Sequence, residues 1–94
     1  MALRQDSAQT LALQALGWLA GQDERFHAFL AACGTGAAEV RARAADPEML
    51  GSVLDFLLAD EAALLQFCAE AGLPPETPMQ ARAALPGGDV PFWT

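Results

Sequence analysis

Lysine, isoleucine and tyrosine are absent from this 94-residue sequence, and histidine occurs once. Five arginines against twelve acidic residues give a formal net charge of −7. Nucleic-acid binding depends on cationic side chains that neutralise phosphates, and anionic membranes attract the same groups. The composition therefore argues against nucleic acid and membrane as partners. It leaves solubility or a basic protein partner as the role of the negative charge.

The residues typical of β-strands are scarce, with three valines and no isoleucine, whereas alanine (21) and leucine (14) are abundant. That mixture favours helices, and a hydrophobic fraction of 53 % excludes a disordered chain. We predict an all-α fold, a compact bundle of five or six short helices around a central buried helix. The bundle forms a single domain over residues 1–94, with an N-terminal extension at 1–5 and an apolar C-terminal tail at 87–94.

Targeting signals are missing too. The first residues contain no apolar stretch behind a basic start, and no apolar run has transmembrane length, so we expect a cytoplasmic protein. The two cysteines, Cys33 and Cys68, form no CxxC motif and fit a reduced compartment. Their spacing leaves open whether they lie close together. We interpret both as inert thiols on apolar helix faces.

The segment around residues 47–58 is the central element of the chain. Asp46 is suited to cap a helix, and Pro47 then takes the first helical position, where no amide is needed. The spacing i, i+3, i+4, i+7 on one apolar face is met by Leu50, Val53, Leu54 and Leu57. Apolar residues cover most of the circumference, so we predict a core helix that the others surround.

The remaining helices are predicted from caps and glycine stops over residues 7–20, 23–33, 36–45, 61–71 and 77–85. Asp6 or Ser7 would cap the first, Asp60 the fifth and Thr77 the sixth. Gly17 inside the first helix suggests close helix packing. The inward faces of the second and fifth helices are predicted as Phe26, Phe29, Leu30 and Cys33, and as Leu64, Phe67, Cys68 and Ala71.

A weak internal repeat accompanies this pattern. A shift of 38 residues aligns apolar positions and both glycine stops, among them Leu16 with Leu54, Phe29 with Phe67 and Gly34 with Gly72. One residue further, Arg43 aligns with Arg82. We interpret the fold as a pseudo-twofold pair of three-helix units, with chance alignment of alanine- and leucine-rich helices as the alternative.

No constellation for catalysis or metal binding is recognisable. His27 is the only histidine, so no Ser-His or Cys-His arrangement has a partner to spare. Glu24 and His27 match half of a di-iron motif that requires two such pairs. We therefore expect no catalytic residue, no metal and no cofactor, and we lean away from an enzyme.

Two surfaces are candidates for binding. An acidic patch at the junction of the fourth and fifth helices could attract a basic partner, although its residues also suit capping and solvation; it comprises Asp55, Asp60 and Glu61. The tail beyond Gly88 carries three large apolar residues that would form an interaction motif if exposed, or cover the core if docked; they are Val90, Phe92 and Trp93.

The leading functional hypothesis is a small, non-enzymatic protein-interaction or regulatory module that binds an unidentified protein or forms a homodimer. The alternative is a small-molecule binder or enzyme with a pocket between the two halves, lined by Trp18, Cys33, Phe56 and Cys68. A DNA-binding helix-turn-helix ranks last, because the sixth helix offers only Arg82 as a cation.

The sequence of several segments resembles that of a small alphaproteobacterial family catalogued as domain of unknown function 3572. The resemblance covers residues 11–85 and rests on Leu16–Ala20, Asp23–Phe26, Phe29–Leu30, Gly34, Arg41–Ala44 and above all Leu54–Glu61. It implies a small cytoplasmic bacterial protein with no established activity, and it supplies no catalytic residue.

Overall fold

A computed structural model describes residues 4–85 of the chain. Within that range the chain forms six α-helices and no β-strand, which confirms the all-α prediction. The helices are α1 Gln5–Ala20, α2 Asp23–Cys33, α3 Ala37–Ala42, α4 Pro47–Leu58, α5 Glu61–Ala71 and α6 Thr77–Ala83. Among the described residues, no helix combines the length and the apolar character that crossing a membrane requires.

Helix α4 lies at the centre of the bundle and spans the predicted residues. The Asp46 carboxylate accepts a hydrogen bond from the Glu48 amide at 3.0 Å, and Pro47 follows as the first helical residue. Helices α1, α2, α5 and α6 all pack against α4. Each of its fully buried leucines stabilises the fold by about 2 kcal/mol. The buried residues of α4 are Met49, Leu50, Gly51, Val53, Leu54 and Leu57.

The start of α1 differs from the prediction. The helix begins at Gln5, and the residue at its N-cap, Arg4, makes no side-chain cap. Asp6, expected as a cap, is already inside the helix, where its carboxylate accepts a hydrogen bond from the Ser7 amide at 2.8 Å. The predicted cap was wrong because the Arg4 carbonyl already accepts the first helical hydrogen bond, from Ala8.

The cap predicted at Thr77 was also wrong. Helix α6 begins at Thr77 itself, after Glu76, and has no side-chain cap. A backbone turn replaces the cap, because the Thr77 amide donates to the Pro74 carbonyl at 3.0 Å and Glu76 already has helical dihedral angles. The helix ends at Ala83, and Leu85 beyond it is buried.

Helix α3 is shorter than predicted, with six residues. Arg43 follows its end and donates two hydrogen bonds to Asp46, at 3.2 and 2.8 Å. Since Asp46 also caps α4, this pair fixes a turn before α4 and stops α3 from continuing to Ala45.

The two glycine stops are equivalent. Gly34 and Gly72 follow α2 and α5 with φ angles of 68° and 71°, a left-handed conformation that glycine adopts without a steric penalty. Both helices have 11 residues, and their bounds are offset by the 38 residues of the proposed repeat. The similarity does not extend to α3 and α6, because α6 packs against both α1 and α4 whereas α3 makes fewer contacts with them. The repeat stays a prediction.

The inward faces of α2 and α5 were predicted only in part. Phe29, Phe67 and Cys68 are buried as expected, but Cys33 and Ala71 are exposed. Both exposed residues stand in the last turn before a glycine stop, where each helix has passed the edge of the core. The core itself is one cluster that includes residues of all six helices.

Candidate functional site

An apolar groove lies between α1, α2 and α3. Its volume is about 440 Å³, and it is open to solvent. We name it the α1–α3 groove; its lining residues are Leu13, Leu16, Gly17, Ala20, Phe26, Ala37, Val40, Arg41 and Ala44. Leu13 is 50 % exposed, a high value for a large apolar side chain. The lining of the groove is mostly apolar.

Gly17 shapes this groove. We expected it to mark close helix packing, but that was wrong, because a Cβ atom placed on Gly17 would meet no atom within 4 Å. The missing side chain instead leaves space beside Leu13. A mid-helix glycine lowers helix stability by about 1 kcal/mol relative to alanine. No packing contact at Gly17 within the described residues offsets this loss.

Among the described residues that line the groove, Arg41 is the only charged one. The other four arginines each lie within 4 Å of a carboxylate, in the pairs Arg4–Asp6, Arg25–Asp60, Arg43–Asp46 and Arg82–Asp55. Within residues 4–85, Arg41 has no such partner. The groove therefore combines an apolar surface with one cation to which no carboxylate of the described chain is bound.

A second depression continues the groove toward the start of α1. Its volume is about 290 Å³, and it shares Leu13 and Ala44 with the groove. The rest of its lining is Asp6, Gln9, Thr10, Ala45 and Leu50. Together the two depressions follow α1 from Asp6 to Ala20, a distance of about 21 Å at 1.5 Å per residue.

A comparison of the two halves at the 38-residue shift shows what this groove lacks. In the second half of the chain, Arg82 of α6 lies over Gly51 and binds Asp55, which joins α6 to α4. The 38-residue shift places Leu13 and Gly17 at the positions of Gly51 and Asp55. Position 17 thus has no carboxylate with which an arginine of α3 could pair.

The arginine that follows the end of α3 is also already engaged. Arg43 corresponds to Arg82 at a shift of 39 residues, and it binds Asp46 with a distance of 2.8 Å from Nη2 to Oδ2. This hydrogen bond holds the pKa of the Asp46 carboxyl below its ordinary value and raises the pKa of Arg43. Within residues 4–85, no side chain therefore joins α3 to α1 in the way that Arg82 joins α6 to α4.

The predicted acidic patch is divided among different structural roles. Asp55 binds Arg82, and Asp60 caps α5 through the Ala63 amide at 3.2 Å, with Arg25 at 3.8 Å. The Glu61 side chain forms neither a hydrogen bond nor an ion pair within residues 4–85. A binding role for the patch stays a prediction.

The other candidate surface, formed by Val90, Phe92 and Trp93, lies outside the described residues. Its role as an interaction motif therefore also stays a prediction.

The pocket predicted between the two halves exists in part. A cleft of about 530 Å³ separates α2 and α3 from α4, and both Cys33 and Phe56 line it. Trp18 and Cys68 lie elsewhere: Trp18 packs against Phe67 at 5.7 Å between ring centroids, and Cys68 is in the core. The cleft is open and carries the carboxylates of Glu39, Glu48 and Asp55 beside its apolar floor.

The described residues include two thiols and one histidine as potentially reactive side chains. Cys33 and Cys68 are both free thiols. Burial raises the pKa of each; Arg43 partly opposes this at Cys33, and Glu76 adds to it at Cys68. Among residues 4–85, no group of three or more histidine, cysteine, aspartate or glutamate side chains is placed to hold a metal ion. His27 is on the surface, as predicted.

Sequence reasoning missed the α1–α3 groove. The available signal was the pair Leu13 and Gly17, which adds an apolar residue and a glycine to the outer edge of an otherwise complete apolar face.

No curated protein and no solved structure is significantly similar to the chain. One family model matches residues 5–88, nearly the whole chain. The chain therefore belongs to the family described as Protein of unknown function (DUF3572).

Proposed function

We propose that the protein is a small, non-enzymatic, cytoplasmic protein-interaction module whose binding surface is the α1–α3 groove. The observation that carries this proposal is the groove itself, an open apolar surface that contains Gly17 and an arginine without a carboxylate partner among the described residues. Open apolar surfaces bounded by polar residues are typical of protein-binding sites.

The groove suggests the chemistry of its partner. A segment that places large apolar side chains beside Leu13, Gly17 and Phe26 would displace water from apolar surface, which is worth about 25 cal/mol per Å². A carboxylate on the same segment would gain a charge-assisted hydrogen bond from Arg41. Both amphipathic helices and extended peptides bind proteins in this way. The partner is therefore an apolar segment with an acidic residue.

The test is affinity capture from native cells with full-length baits. Gly17→Leu fills the groove and removes the cost of a mid-helix glycine, so this bait should be folded but recover at least tenfold less partner. Gln14→Leu is the matched control: it adds the same side chain to an exposed position of α1 outside the groove, and it should recover the wild-type amount. Equal recovery by the Gly17→Leu bait would move the binding site elsewhere.

A second candidate function is small-molecule binding in the cleft lined by Cys33 and Phe56. It is favoured by the convergence of this thiol, an aromatic ring and several carboxylates on one cleft. A ligand screen followed by melting-temperature shifts distinguishes the two. A ligand whose effect is abolished by Phe56→Ala but unaffected by Gly17→Leu would support the cleft.

A further inference from the structure

We propose that the apolar tail of the same chain, residues 88–93, binds in the α1–α3 groove and its continuation along α1. An external partner would then have to displace the tail. Two observations suggest this. No side chain of the described residues fills the groove, and an apolar segment follows the last described helix in the sequence.

The point at which the chain leaves the described bundle favours this occupant. Leu85 is buried, and its amide donates to the Arg82 carbonyl at 3.2 Å. The guanidinium of Arg82 in turn lies over Gly51, since a Cβ atom there would be 2.9 Å from Nη1. The neighbouring residue, Leu50, lines the second depression. Helix α6 packs against α1 and α4, and residues of the same two helices line the second depression, so the chain leaves the described bundle beside helices that form the combined groove.

The length of the tail also fits. Residues 86–94 follow Leu85, and a fully extended segment of that length spans at most about 30 Å. The whole described structure measures 33 × 26 × 25 Å. Six extended residues cover about 20 Å, which is close to the 21 Å length of α1 between Asp6 and Ala20.

The chemistry of the tail matches what the groove lacks. Phe92 and Trp93 would supply apolar surface, and Asp89 would supply a carboxylate for Arg41. Gly87 and Gly88 allow the sharp reversal that folding back requires. Pro91 donates no backbone hydrogen bond, so its burial against apolar side chains leaves no amide unsatisfied.

This inference uses the surface of the proposed function but not its partner. It can fail while partner capture succeeds, and it can succeed in a protein that recovers no partner. The experiment therefore uses the isolated full-length chain.

The test is backbone NMR relaxation on the full-length chain. In the wild type, residues 89–93 should show order parameters near those of rigid backbone, about 0.85, and in the Gly17→Leu variant they should fall below about 0.6. The indole signal of Trp93 should move to the position of an unstructured tryptophan, while that of Trp18 stays in place. The matched variant Gln14→Leu should retain the wild-type values.

A charge exchange provides the second arm. Arg41→Glu should release the tail, and the double variant Arg41→Glu with Asp89→Arg should restore the high order parameters. This arm stays decisive if Gly17→Leu does not fold. A flexible tail in the wild type, or a tail equally ordered in every variant, would overturn the proposal. So would signals that change on tenfold dilution, because the tail would then occupy a second copy of the chain.

Discussion

Arg82 donates two hydrogen bonds to the carboxylate of Asp55, with distances of 2.6 Å from Nε to Oδ1 and 3.1 Å from Nη2 to Oδ2. The Arg82 side chain is only 17 % exposed, whereas that of Asp55 is 59 % exposed. The pair connects residues 27 positions apart and joins α6 to α4 across Gly51. Because Gly51 has no side chain, the guanidinium can approach the α4 backbone.

Replacing Asp55 with alanine should reduce the free energy of unfolding by about 0.5–1 kcal/mol, since most of this carboxylate is in solvent and screened. Urea denaturation measures the change. Glu61→Ala is the matched control, because Glu61 has no ion pair among the described residues, and it should change stability by less than about 0.5 kcal/mol. Equal effects of the two substitutions would show that the Asp55–Arg82 pair does not stabilise the fold.

Replacing glycine with alanine should lower the free energy of unfolding at two positions and raise it at a third. Gly34→Ala and Gly72→Ala force a Cβ atom into a left-handed conformation and should each destabilise the protein by about 1 kcal/mol. Gly17→Ala, in a helix and with open space around its Cβ position, should stabilise it by up to about 1 kcal/mol. Guanidinium denaturation of the three variants measures these changes. A loss of stability in Gly17→Ala would mean that α1 needs a glycine there.

Local signals in the sequence were sufficient for much of this fold. The Asp46-Pro47 start and the glycines at 34 and 72 act within one helical turn, so their effects could be predicted without knowledge of the tertiary structure. Thr77 also had a local capping signal, but a turn through Pro74 took its place. The groove depends on where α3 lies relative to α1, and that placement is a tertiary relationship that a one-dimensional pattern does not show.

Asp46 should make stability depend on pH in the acidic range. Its hydrogen bonds from Arg43 and from the Glu48 amide favour the charged form, so its pKa is lower in the folded than in the unfolded chain. The stabilisation is therefore complete above the unfolded pKa of about 3.9, and it is lost as pH falls through the folded value. Asp46→Asn retains a capping side chain but cannot ionise. Thermal melts at a series of pH values from about 2 to about 7 measure this effect. The melting temperature of the variant should fall less at acidic pH than that of the wild type.

The two thiols should differ in reactivity. Cys33 is exposed and Cys68 is buried, so an aromatic disulfide reagent at neutral pH should modify one thiol per folded chain and both in denaturant. Because burial raises its pKa, Cys33 should react more slowly than a thiol in a short peptide. The variant Cys33→Ser should leave no thiol that reacts in the folded state. Rapid modification of both thiols would mean that α5 detaches from the core.

Tail and partner should compete if both proposals hold, because they require the same apolar surface beside Gly17 and the same cation, Arg41. A full-length bait with Phe92→Ser and Trp93→Ser should then recover more partner than the wild type, since binding no longer requires displacement of the tail. The alternative, a tail that itself contacts the partner, makes the opposite prediction of reduced recovery. Quantitative capture with equal amounts of both baits distinguishes the two predictions. If the groove is the binding site for the partner, adding Gly17→Leu should lower recovery both in the wild-type bait and in the bait with the altered tail.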